Sequence, residues 1–165
     1  MNFRLRLPLA AVMFLVIVSM MNSCKQGPEK IEVIQNYGTG ELSRTYQTID
    51  GKKEGLMVDY YPDGSLKGER WFENDIQVGK TTLYHKNGKV KEVQYYQDGK
   101  IHGGDTVFYE SGQPEMVVTF DKGVKHGYVR KWSETDSLIF EAKYDHEVLV
   151  EVKGEPVNRD TLNKK

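Results

Sequence analysis

The chain has one cysteine, five prolines and no surplus of either charge, with Lys+Arg at 23 against Asp+Glu at 24 in 165 residues. A lone thiol cannot close an internal disulfide, so a disulfide-stapled fold is excluded. Balanced charge provides no strong field to recruit DNA or RNA, and no nucleic-acid partner is expected. Apolar residues follow no sustained i, i+3, i+4, i+7 spacing, and turn residues arrive every 10–14 positions, which leaves little room for a helix. The sequence also lacks a nucleophile elbow, a Gly-rich phosphate loop and a zinc-ligand pattern. Carboxylates such as Asp63, Glu69, Glu73, Asp75, Asp98, Asp105 and Asp121 are scattered over turns and solvent-facing positions, with no pair singled out. An active site needs one distinctive cluster, so no catalysis and no cofactor are expected.

One long apolar run is present, "LAAVMFLVIVSMM" at 9–21, 13 residues long. A membrane-spanning helix needs about 20. Arg4 and Arg6 precede the run and the small or polar "NSC" follows it, so residues 1–23 read as a secretory signal peptide. Cys24 stands directly after it. The stretch "MNSC" resembles a bacterial lipoprotein cleavage site, which implies that Cys24 is the lipid attachment point, although Met21 replaces the usual Leu and Asn22 is unusual. No basic patch adjoins Cys24, so acyl chains would hold the protein at the membrane. Lys25 after the cysteine points to outer-membrane sorting. Residues 24–30, ending in "KQGPEK", read as attachment point and tether.

The rest is periodic. At a 24-residue interval Gly55, Gly79, Gly103 and Gly127 form one column, and Gly40, Gly64, Gly88 and Gly112 another. Tyr60, Tyr84, Phe108 and Trp132 form a third, Phe72, Tyr96, Phe120 and Tyr144 a fourth, and Leu42, Leu66, Val90, Pro114 and Leu138 a fifth. No insertion breaks the register, which marks a repeat array. Within one unit, "LMVDYY" and "LKGERWF" are strand-like runs separated by the turn signal "PDGS". Leu66, Gly68, Arg70 and Phe72 then share one face, and Lys67, Glu69 and Trp71 the other. Each unit is expected to be a hairpin closed by a second turn at segments such as "ENDIQVG", with both glycine columns marking turns that need φ > 0 or close backbone approach. The predicted fold is all-β: an elongated, twisted single-layer antiparallel meander of roughly ten strands over 31–154, followed by a polar tail at 155–165. The outer units are worn, with Asp136 and Glu151 in place of column glycines.

The segments "YYPDGSLKGERWFENDIQVG", "LYHKNGKVKEVQYYQDGKIHG" and "FYESGQPEMVVTFDKGVKHG" resemble the MORN (membrane occupation and recognition nexus) repeat family, in its bacterial variant. That resemblance implies an open repeat sheet used for protein–protein contact and scaffolding. It also brings the label of antitoxin component that bacterial relatives often carry, although no residue here encodes that role and an exported, anchored protein fits it poorly.

The histidines carry little by spacing alone. His102 and His126 share a column, His85 and His146 fall elsewhere, and Glu54 and Val78 occupy the equivalent positions in earlier units. No third ligand is evident, so no metal site is expected. The aromatic rows are the more informative surface. Tyr61, Trp71, Tyr95 and Tyr109 fall on the opposite face or beside turns and are the candidate partner-binding residues. The function expected is therefore a non-enzymatic scaffold, lipid-anchored at the bacterial cell envelope in the outer membrane, that binds another protein. The alternatives are a glycan-binding module and an immunity-like partner of a toxin.

Overall fold

The structure, a computed structural model, describes residues 27–156. The expected signal peptide at 1–23, Cys24 and the tail residues 157–165 lie outside the described residues. Within them the chain is all-β: β1 (Lys30–Asn36), β2 (Leu42–Ile49), β3 (Lys52–Tyr60), β4 (Leu66–Glu73), β5 (Ile76–Tyr84), β6 (Val90–Gln97), β7 (Lys100–Ile101), β8 (Gly103–Phe108), β9 (Pro114–Asp121), β10 (Val124–Trp132), β11 (Leu138–Asp145), β12 (Val148–Val152) and β13 (Glu155–Pro156). They form one antiparallel sheet in sequence order, with β7 and β8 both pairing with β6 as two pieces of one hairpin arm. This is the expected meander, extended at its C-terminal end. β1 precedes the first recognisable unit, and Glu155 and Pro156, expected in the tail, pair with Val152 and Glu151.

Two kinds of reversal alternate along the sheet. At one edge, Tyr61 N–H donates to Ser65 C=O at 2.8 Å and Gly64 N–H to Tyr61 C=O at 2.9 Å, with Gly64 at φ 83°. This is a type I turn closed by a left-handed residue, the usual form of a three-residue hairpin loop. The same pair of bonds recurs at 37–41, 85–89, 109–113 and 133–137. In the last of these Asp136 fills the glycine slot at φ 61°, as a short polar side chain can.

The opposite edge differs from expectation. The chain reverses at Asp50–Gly51, Asn74–Asp75, Asp98–Gly99, Lys122–Gly123 and His146–Glu147, each with positive φ at both residues. That is the two-residue type I′ turn, whose twist matches that of the flanking strands. Gly55, Gly79 and Gly127, expected at turns, instead lie inside β3, β5 and β10, and Gly103 opens β8. Their φ values of 66–92° mark bulges. Across β4 and β5, Glu69 pairs with Thr82 but Trp71 with Val78, so Arg70 faces Gly79, Lys80 and Thr81 together. Two surplus residues shift the register without exchanging the faces, because side chains alternate with period two. The same shift recurs between β2 and β3 and between β9 and β10. Where Glu151 replaces the glycine, the shift shrinks to one residue: Lys143 pairs with Glu151 and Tyr144 with Leu149.

Cross-strand pairing sorts the side chains as expected. Leu66, Gly68, Arg70 and Phe72 share the face that carries Met57, Thr81, Val118 and Ala142. With Asp59 and Gly68 on the same face, those four make a thin core; Met57 is 4% and Ala142 1% exposed. Phe72, Tyr96, Phe120 and Tyr144 line up on this face, each opposite a bulge glycine (Gly55, Gly79, Gly103 and Gly127) on the preceding arm. We call this the inner face. With so little buried area, the sheet relies on edge bonds as well as packing. The N–H groups of Asp75, Gly99, Gly123 and Glu147 donate to the carbonyls of Lys53, Gln77, Ile101 and Lys125, at 2.7–3.1 Å, tying the last four of these type I′ turns to the arm before them.

Candidate functional site

The four aromatic candidates divide into two pairs. Tyr61 and Tyr109 stand at the start of the three-residue loops and are half-buried. Their hydroxyls donate to the backbone carbonyls of Tyr84 and Trp132, each at 2.8 Å, and Tyr37 makes the equivalent bond to Tyr60 at 2.6 Å. His85 completes the series through Nε2, 2.9 Å from Phe108 O. The column Tyr37, Tyr61, His85, Tyr109 thus stitches each loop to the next unit. Its readable signal was the recurrence of a hydrogen-bonding ring just before each turn, which the glycine and aromatic columns overshadowed.

Trp71 and Tyr95 are placed differently. Both point to the outer face, on β4 and β6, and are 49% and 48% exposed. Trp71 lies between Leu56 on β3 and Val78 on β5, and Tyr95 opposite Lys80 on β5. Ile76, 49% exposed, extends the apolar ground beside Trp71. The row does not continue as rings: its next members are Thr119 and Lys143. The outcome is one apolar and aromatic patch in the first half of the array, edged by a lysine.

The inner face carries a polar strip that spacing did not reveal. Asp59, 5% exposed, accepts from Arg44 Nε at 2.5 Å and from Arg70 Nη1. Two arginines on flanking strands thereby neutralise one buried carboxylate. Two strands further on, Gln94 Nε2 donates to Glu92 Oε1 at 2.5 Å and reaches Asp105 Oδ2 at 3.3 Å, while Tyr96 OH donates to Gln94 Oε1 at 3.0 Å. Asp105 Oδ1 is buried without a partner. Burial, and then the charge of Asp105, push the Glu92 carboxyl above its usual range; burial does the same to Asp105. On the outer face Tyr84 OH donates to Glu69 Oε2 at 2.7 Å, and that carboxylate pushes the phenol up to about 12. The strip was hidden because its members come from different positions of different units. Asp59 aligns with Leu83 and Val107, and Arg70 with Gln94 and Val118.

The histidines also regroup. His102 Nδ1 lies 3.3 Å from Asp121 Oδ1, and His126 Nδ1 lies 3.4 Å from Asp145 Oδ1. His146, set apart from both by its position in the repeat, joins the second pair with Nδ1 2.6 Å from Asp145 Oδ1. His146 foremost, and His126 more weakly, hold the Asp145 carboxyl below its ordinary range.

Two segments, 53–74 and 77–98, match the family model for the MORN repeat variant. They cover β3–β4 and β5–β6, two consecutive hairpins, each with its bulge glycine and its three-residue loop. Units on either side have the same turns and bonds. No match was found among curated proteins.

Proposed function

We propose that this chain is a non-enzymatic scaffold that binds another protein through the outer-face patch around Trp71 and Tyr95, and that Cys24 fixes it by lipid to the bacterial envelope. The observation that carries the reading is the half-exposed Trp71 between Leu56 and Val78, with Tyr95 and Lys80 beside it. An aromatic anchor in aliphatic surroundings with a charged rim is the composition of a protein-recognition centre. Repeat sheets of the MORN kind are interaction modules, which agrees with this use. Stacking on a glycan favours flat rings repeated at saccharide spacing, whereas here the row turns to Thr119 and Lys143 after two rings.

The test is affinity capture from envelope extract with wild-type chain, Trp71→Ala, Tyr95→Ala and an outer-face control, Gln47→Ala. Expected is a partner retained by the control and lost with either aromatic change. An identical set of captured proteins for all four would defeat the assignment. For the anchor, mass spectrometry of the mature protein is expected to show acyl chains on Cys24, and their absence would remove that part alone.

A further inference from the structure

His126, Asp145 and His146 form the one cluster among the described residues in which three metal-competent side chains converge, with ligand atoms all within 4.8 Å of one another. His126 belongs to β10, Asp145 ends β11, and His146 opens the type I′ turn into β12 at φ 47°. Histidine tolerates that left-handed backbone better than most residues. The imidazole centroids are 4.7 Å apart and tilted by 49°. All three side chains are exposed and can rotate without moving backbone. Lys125, beside His126, is paired with Glu147 at 3.6 Å rather than with Asp145.

The repeat supplies an internal comparison. The preceding unit carries the same His–Asp pair, His102 and Asp121, but places Lys122 where the last unit has His146. A cation there opposes metal binding; an imidazole completes the set. We infer that His126, Asp145 and His146 bind a first-row divalent transition-metal ion, of which zinc is the simplest probe. Two imidazole nitrogens and one carboxylate oxygen suit Zn²⁺ at about 2.0–2.2 Å from each, with the fourth position open to water or to a side chain from a partner. Oxygen-seeking Ca²⁺ or Mg²⁺ fits the donor set poorly.

Zn²⁺ titrated calorimetrically into the full chain is expected to bind at one equivalent per chain. His146→Lys, which restores the composition of the preceding unit, is expected to weaken binding at least tenfold while far-UV circular dichroism stays unchanged. Lys122→His is expected to add a second equivalent by completing the triad at His102 and Asp121. Wild-type affinity retained in His146→Lys, no stoichiometric binding by the wild type, or no second equivalent in Lys122→His would each overturn the assignment.

Discussion

Gly64 and Gly68 lie four residues apart in one hairpin and are required for different reasons, so parallel substitutions separate backbone conformation from packing. At Gly64 φ is 83°, and a Cβ built there meets nothing within 4 Å. The cost of Gly64→Ala is therefore conformational. The left-handed region costs an L-residue about 1–2 kcal/mol, and the stiffer unfolded chain returns about 0.4–1 kcal/mol. The net loss is about 1 kcal/mol. With a urea slope of about 2 kcal/mol per molar, that lowers the midpoint by about 0.5 M. Gly64→Asn should lose clearly less, since asparagine visits this region readily. At Gly68 φ is ordinary, but a Cβ would sit 2.8 Å from Leu83 Cδ2 and 3.4 Å from Thr82 O. Gly68→Ala is then an overpacking change of about 1–3 kcal/mol, and Gly68→Asn should be worse still. Equilibrium urea unfolding, followed by fluorescence and by circular dichroism to test for a single transition, reads all four. If Asn proved as damaging as Ala at Gly64, or relieved the loss at Gly68, the division between the two glycines would be refuted.

Two further outcomes follow from the inner-face strip and the edge stitches. Because the Glu92 and Asp105 carboxyls are raised in the folded chain, the native state holds their protons more tightly than the unfolded state does. Stability from this pair is complete below the ordinary carboxylate values of about 4 and falls as pH rises through the raised ones; Glu92→Gln should flatten the fall in urea midpoint between pH 4 and 7, and a variant as steep as wild type would contradict it. Tyr61→Phe removes the donor to Tyr84 O and should cost about 0.5–1.5 kcal/mol, whereas Tyr95→Phe on the exposed outer face should stay within about 0.5 kcal/mol; equal losses in a urea titration would rule out the structural role given to Tyr61.

The meander was legible because the columns are physical constraints seen several times over. A residue that must take φ > 0 at 64 must do so again at 88 and 112, and glycine records it each time. The same logic misled at the other edge. Bulge and turn both demand positive φ, and the bulge kept its glycine at 55, 79, 103 and 127 while the turn tolerated Asn74–Asp75 and His146–Glu147. Periodicity thus pointed to the bulge as the reversal. The Tyr37, Tyr61 and Tyr109 stitches escaped for another reason, since each bond spans 23 residues and involves a carbonyl, which leaves no trace in side-chain identity. The Asp59 and Glu92–Asp105 groups, and the meeting of His126 with His146, come from changes peculiar to single units. A search for what repeats passes over such changes.

Stitching at both edges bears on how such a chain can evolve. A duplicated stretch of 24 residues arrives with its own donors and acceptors already matched to an identical neighbour. Lengthening the array then asks for no new compatibility, and selection is free to act on single letters within a copy, as the exchange of lysine for histidine between Lys122 and His146 illustrates.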